Sequence, residues 1–273
     1  MDITARLTSS PWGFRFYPFD KYAQFMKTIG ITRLCMMFGN PATFPLSVAK
    51  DEAAVDACLQ AATNMEVTIL EISHNGEYEQ EIPLAARLGA KFFRFCSVYK
   101  DDAETRAKLL ADLKVAGKIA ADHNITVILE NHGGLLTKPS ECRKLLEEVG
   151  LDNVKLNYDP ANFLFYGDDP LASLDEVLPQ IGFTHFKSVR YVDNKGEYCR
   201  IKDGVIDYKA IFARLLPEYN GDLGLEYETP EDAEAGTRDD LESMLTAMGS
   251  PADAQPSLKG ERSHQHRRHS HAK

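Results

Sequence analysis

The stretch 127-VILENHGG-134 runs three apolar residues, Val127 to Leu129, straight into Glu130, Asn131, His132 and two glycines. A short apolar run bounded by glycine reads as a buried strand. A carboxylate, an amide and an imidazole are costly to bury without partners, so their place at its end needs a reason. Parallel α/β barrels supply one. Their strands are buried on both faces, and their chemistry sits at the C-terminal strand ends.

The pattern repeats along the chain. Apolar runs occur at RLCMMF (33–38), VTILEIS (67–73), KFFRF (91–95), ITVILE (125–130), VKLNYD (154–159), GFTHF (182–186) and LGLEY (223–227), and a first strand is expected near residues 4–9. Helical periodicity fills the intervals at 51–63, 77–88, 102–123, 138–149, 170–180, 207–216 and 230–247. The helix at 77–88 is expected to start properly only near Pro83. Pro139 suits a helix start, and Gly150 suits a helix end. Strands alternating with helices imply parallel pairing through right-handed crossovers. Eight such units within about 250 residues predict a closed (β/α)8 TIM barrel over residues 1–248. No GxGxxG follows the first strand, which argues against a dinucleotide-binding sheet.

Composition narrows the class. The formal net charge of −10 argues against nucleic acid or an anionic membrane surface as a partner of the body. The five cysteines form no CxxC pair, which points to a reducing compartment and not to a zinc knuckle or disulfide framework. MDITARLTSS has no apolar signal core, and no apolar run nears the roughly 18 residues of a membrane span. The expectation is a cytoplasmic protein. Residues 249–273 differ: they are rich in Ser, Pro, Arg and His, with no apolar periodicity. They read as a disordered tail or expression remnant, with metal or nucleic-acid binding as the functional alternative.

Within the barrel frame, four consecutive strands end in ligand-type residues: Glu130, Asp159, His185 and Glu226. Successive positions lie 29, 26 and 41 residues apart, each close to one βα unit with a longer loop before the last strand. Strand alternation puts His132 on the face of Glu130, Asn157 on that of Asp159, Lys187 on that of His185 and Glu228 on that of Glu226. Leu129, Leu156, Tyr158, Phe186, Leu225 and Tyr227 fall on the opposite face, against the helices. Three converging carboxylates repel one another unless a cation sits among them. Carboxylate-rich sites with one His suit Mn²⁺ first, with Mg²⁺, Co²⁺ or Zn²⁺ as alternatives.

These segments, ILEN, NYDPANF, HFK and LEYE, resemble the xylose isomerase-like TIM-barrel superfamily over about residues 60–230. The resemblance implies that Glu130, Asp159, His185 and Glu226 hold one divalent metal, with Glu130 and Glu226 as an acid/base pair. It further implies an isomerase or epimerase acting on a keto-sugar or related polyhydroxy carbonyl compound, by proton abstraction next to the carbonyl. A lyase, dehydrating a keto-cyclitol or eliminating from a 3-keto-glycoside, is the alternative, and a non-catalytic accessory barrel the second. The apurinic-endonuclease branch needs three zinc ions and more histidines than this chain offers after strand seven. Ketohexose 3-epimerases carry a substrate-binding His where this chain has Asn162, and an Arg where it has Tyr191.

Further candidates line the expected rim. His132 is a substrate ligand or second acid, or a hydrogen-bonded strand-end residue. Lys187 polarises a carbonyl or contacts an anion, or pairs with Glu228 or Glu130. Arg190 is a candidate for a carboxylate or phosphate, or a solvated loop residue. His74, Arg94 and Asn162 are substrate-contact candidates. Trp12 and Phe14 either wall the pocket or pack. Glu228 competes with Glu226, which is preferred because it directly follows the apolar strand. Asn131 should face away from the metal, and the two glycines should let the loop turn closely over the pocket. The expected partner is a small carbohydrate, unphosphorylated because no phosphate cradle appears, with a homo-oligomer or accessory subunit possible.

Overall fold

A computed structural model describes residues 3–249. Eight strands pair in parallel: β1 (Leu7–Ser9), β2 (Arg33–Phe38), β3 (Thr68–Ser73), β4 (Phe92–Phe95), β5 (Thr126–Glu130), β6 (Val154–Tyr158), β7 (Ile181–Phe186) and β8 (Leu223–Leu225). Each pairs with its neighbour in order, β8 pairs with β1, and Ser9 against Leu34 closes the ring between β1 and β2. The barrel expectation holds. The 249–273 tail, with four of the eight histidines, lies outside the described residues but for Gly249.

Nine helices are found among the described residues: α1 (Phe19–Thr28), α2 (Glu52–Asn64), α3 (Tyr78–Arg87), α4 (Ala103–Asp122), α5 (Pro139–Val149), α6 (Pro160–Phe165), α7 (Pro170–Val177), α8 (Tyr208–Leu215) and α9 (Ala233–Ala247). Their starts are locally encoded. Asp51, Asp102, Asp159, Asp169 and Asp207 each accept a hydrogen bond from a first-turn backbone N–H, satisfying donors that a helix start leaves unpaired. One apolar layer includes Leu129, Leu156, Tyr158, Phe186 and Leu225, five of the six residues alternation assigned to the helix-facing side, while Tyr227 is buried outside it with its hydroxyl on Asp232. A smaller cluster of Cys35, Leu70, Ile128 and Phe183 fills the barrel interior, with Phe92 against it.

Several boundaries differ from the sequence reading. The first strand is short, because Thr4–Arg6 form a 3-10 turn. That turn lets the Arg6 guanidinium donate to the carbonyls of Tyr219 and Gly221. Helix α3 starts at Tyr78 and passes through Pro83. Buried Ile82, Leu84 and Ala85 hold it, and their packing outweighs the single backbone bond that proline removes. Helices α1 and α6, the short strand Ser47–Val48 and an antiparallel hairpin of Ser188–Val192 with Lys195–Cys199 were not anticipated. The hairpin turns at Asp193 and Asn194, both with positive φ (49° and 62°), the geometry that matches strand twist.

Candidate metal centre

The four strand-end residues converge. Glu130, Asp159, His185 and Glu226 each offer a ligand atom, and these atoms all lie within 4.8 Å of one another. All four are buried. Local sequence aims each one. Asp159 caps α6: its Oδ1 accepts from the N–H groups of Ala161 (2.8 Å) and Asn162 (3.1 Å), with Pro160 following as the first helical residue. One carboxylate oxygen is thereby locked to backbone, and Oδ2 is left for the site. Gly224 lets β8 lie close to β7, since a Cβ there would stand 2.3 Å from the Thr184 carbonyl oxygen and 2.8 Å from the His185 ring.

The Asn131 side chain is engaged with the Asp159 backbone. Its Nδ2 donates to the Asp159 carbonyl and its Oδ1 accepts from the Asp159 N–H, both at 2.8 Å, clamping the end of β5 to that of β6. Gly133 and Gly134 both have positive φ. A Cβ at Gly134 would fall 1.8 Å from the Tyr99 carbonyl oxygen, so the loop turns tightly against the segment that follows β4.

Two buried cations sit among the carboxylates. Arg94 donates through Nε to Glu71 Oε1 (3.0 Å) and through Nη1 to Glu130 Oε2 (2.5 Å). Lys187 Nζ lies 2.7 Å from Glu226 Oε2, 2.8 Å from Glu228 Oε1 and 3.1 Å from Asp159 Oδ2. Ser10 Oγ donates to Glu226 Oε1 (2.7 Å), and Asn162 Nδ2 to Glu130 Oε1 (3.3 Å). His185 Nδ1 faces both glutamates, 3.3 Å from Glu226 Oε1 and 3.6 Å from Glu130 Oε1.

Five carboxyl groups thus meet two fixed cations and one imidazole. Burial pushes the Glu130 carboxyl up, but Arg94 and His185 more than reverse this and hold it below the ordinary carboxylate range. Glu226 is depressed likewise, with His185 and Lys187 overcoming burial. Asp159 is pushed up to about 6, by burial and by the charges of Glu130 and Glu226, against the pull of Lys187. Glu130 and Glu226 are thus held low while Asp159 is held high. Asp159 Oδ2 is buried and makes no hydrogen bond, its contact with Lys187 being one of charge alone. A buried oxygen without a hydrogen bond, beside two glutamates and an imidazole nitrogen, fits a divalent cation that prefers oxygen ligands.

The other candidates are placed as follows. His132 is half-buried, and its Nδ1 is buried without a hydrogen-bond partner. His74 stacks on Phe95 (4.5 Å) and holds buried Glu81, Nδ1 to Oε2, at 2.6 Å. Arg190 is exposed and pairs with Glu197 across the hairpin (3.4 Å). Trp12 is 41% exposed, stacks against Phe44 and lies under the Arg15 guanidinium, while Phe14 is buried against Tyr22 and Phe25. Glu228 reaches the site only through Lys187.

Three site residues escaped the sequence reading: Ser10, Glu71 and Tyr198. Glu71 carried a usable signal, a carboxylate inside the apolar run VTILEIS, the same oddity that singled out Glu130. Ser10 and Tyr198 had none, since one is a plain loop serine and the other lies on the unanticipated hairpin.

A sequence profile described as "Xylose isomerase-like TIM barrel" matches residues 18–247. The chain belongs to the xylose isomerase-like TIM barrel family. Among curated proteins it is similar to an inosose dehydratase of Geobacillus thermodenitrificans, 30% identical over 123 residues, which are 39% of this chain and 41% of that protein. The first curated relatives are thus matched over about half their length or less. Among solved structures, the IOLI protein with a bound zinc atom superposes with a TM-score of 0.74, at 14% identity, over 89% of this chain and 98% of that one. The 3-keto-D-glucoside 4-epimerase of E. coli superposes with a TM-score of 0.70, at 15% identity, over 88% and 99%. At these identities the structural likeness establishes the shared barrel. No described helix is long and apolar enough to cross a membrane.

Proposed function

We propose that this chain is a divalent-metal-dependent isomerase or epimerase that removes a proton next to the carbonyl of a polyhydroxy carbonyl compound. The observation that carries this is the convergence of the Glu130 and Glu226 carboxylates with Asp159 and His185. Those four residues would hold the ion, and its carboxylate-rich donor set favours Mn²⁺. When bound, the ion supplies Lewis-acid polarisation of the carbonyl and so acidifies the neighbouring C–H.

The chain's own groups do the rest. Glu226, oriented by Ser10 and Lys187, and Glu130, oriented by Arg94 and Asn162, are the proton acceptor and donor. Delivery of a different proton to the opposite face by the second glutamate, protonated before the step, gives epimerisation, and return of the abstracted proton by the first to the adjacent carbon gives isomerisation. Lys187, beside Asp159 and Glu226, would favour charge developing on a substrate oxygen bound among these groups. Arg94 and Lys187 are both engaged by carboxylates, which supports an unphosphorylated substrate. His132, Asn162, Lys187, Arg190, His74, Arg94 and Trp12 remain the proposed substrate contacts. His74, Arg94, Lys187 and Arg190 would first have to exchange carboxylate partners.

A lyase is the second reading, favoured by the similarity to an inosose dehydratase. Proton abstraction is common to both, and loss of a β-oxygen substituent replaces reprotonation. The test is solvent exchange. Mn²⁺-loaded protein in D₂O is incubated with ketoses, inososes and keto-glycosides and followed by NMR. Deuterium entering at the carbon next to the carbonyl, with substrate atoms otherwise retained, is the isomerase or epimerase result. Release of water or of the aglycone marks the lyase. The absence of both exchange and release with all of these carbonyl compounds sinks both readings.

A further inference from the structure

The hairpin after β7 carries one residue into the centre. Tyr198 stacks on Phe165 of α6 (centroids 5.2 Å apart, 16° between planes), and the Lys187 ammonium lies 4.8 Å from its ring. Its hydroxyl donates to Asn162 Oδ1 at 2.8 Å. Asn162 Nδ2 donates in turn to Glu130 Oε1 at 3.3 Å. The chain of donors runs one way only. A carboxylate accepts, so the Asn162 amide presents its NH₂ to Glu130 and its carbonyl oxygen to Tyr198, whose hydroxyl must then donate. Burial raises the Tyr198 hydroxyl above its ordinary range, which keeps it protonated for that purpose.

Asn162 is completely buried, and its backbone is held by Asp159 Oδ1. Its side-chain torsion is what remains to be set, and the Tyr198 hydroxyl sets it. Glu130 is then gripped at both oxygens, Oε2 by Arg94 and Oε1 by Asn162.

We propose that Tyr198 is a positioning residue for Glu130, acting through Asn162, so that the hairpin controls the orientation of one ligand of the metal centre. This rests on the reading of Glu130 as a metal ligand. Partners of this kind behind a ligand are worth about 10- to 100-fold in metal affinity. Tyr198 reaches Glu130 through one intermediary, so the low end, about tenfold, is expected.

The test uses the full chain loaded with Co²⁺, whose visible absorption reports ligand geometry without any turnover. Tyr198→Phe keeps the ring, its stacking and its contact with Lys187, and removes only the hydroxyl. It should shift the Co²⁺ band and weaken Co²⁺ affinity about tenfold, with the metal-free melting temperature nearly unchanged. Asn162→Leu should give the same spectral change, and the double variant no further one, because both act through one connection. Tyr191→Phe is the control. It removes another hydroxyl of the hairpin, bonded to the Leu164 carbonyl, and should leave the band in place. An unshifted band and unchanged affinity in Tyr198→Phe overturn the proposal while leaving the metal centre standing. So does a double variant whose effect is the sum of the singles. A wild-type chain that takes up no Co²⁺ overturns the metal centre itself, and the relay with it.

Discussion

Replacing Arg94 with methionine asks what holds so many carboxylates in one barrel mouth. Arg94 is 8% exposed and bonds Glu71 and Glu130, which are 0% and 1% exposed. Methionine fills much of the arginine stem's volume, so the main change is electrostatic. Removing one partner of a buried ion pair costs about 3–5 kcal/mol, because the remaining charge stays buried and uncompensated. Against a domain stability of about 5–15 kcal/mol, that leaves the variant folded but marginal. The pH dependence has a definite sign. In the wild type, Glu130 titrates below its ordinary range despite its burial, through Arg94 and His185. A depressed carboxyl contributes stability above its unfolded pKa, and that contribution is lost as pH falls through the folded value. Without Arg94, burial is left to push the Glu130 carboxyl up, so the deficit is full near pH 7.5 and narrows only as pH falls through that raised value and on toward the depressed wild-type one. Urea unfolding of metal-free protein, followed by circular dichroism at pH 5 and pH 7.5, measures both. A loss below about 1 kcal/mol at both pH values would refute the reasoning, as would a deficit that grows on acidification.

Glu226→Gln should lower deuterium exchange at least about 100-fold while the circular dichroism spectrum is retained, consistent with the scale of acid/base catalysis; activity within a few-fold of wild type would remove Glu226 from that role. Saturating Mn²⁺ should raise the melting temperature, by about 2.7 kcal/mol of added stability at 100 times Kd, and EDTA should reverse it. Protein that purifies without metal and gains nothing from Mn²⁺ would instead favour the accessory-barrel reading. Asp240, buried on α9 and accepting from the Ile201 N–H, is pushed by burial up to about 7. A raised carboxyl makes folding less favourable as pH rises from about 4 toward 7. Asp240→Asn, which keeps the acceptor, should therefore flatten that slope and stabilise the protein at pH 8 by about 2 kcal/mol, a fraction of what the shift implies at 1.36 kcal/mol per unit; an unchanged slope in urea unfolding rejects the assignment.

Much of the architecture was legible. Most barrel strands announce themselves as short apolar runs and seven of the nine helices by periodicity, four of those seven also by a capping aspartate, because such signals arise from neighbours along the chain. Glu130, Asp159, His185 and Glu226 stood out for the same reason: each interrupts or terminates such a run, and their spacing follows the repeat. Gly150 ends α5 with a φ of 65°, as its place predicted. Where one local signal met another, reading was harder. Pro83 suggested a later helix start, yet the buried residues around it keep α3 continuous. In the hairpin segment, charged and glycine-interrupted residues show no apolar alternation, since three of the five residues of its first strand are exposed.

The sequence alone determined the barrel and the four inward-facing groups, since alternation along a strand and spacing along a βα repeat are local properties that survive without knowledge of the fold. Tertiary structure alone decided which of these groups are paired. Ser10 meets Glu226 across 216 residues because β1 closes the barrel beside β8. Arg94 meets Glu71 and Glu130 because their strands are its two neighbours. Tyr198 meets Asn162 because the hairpin folds onto α6. Such contacts depend on which elements become adjacent when the sheet closes, and no pattern along a single segment records that.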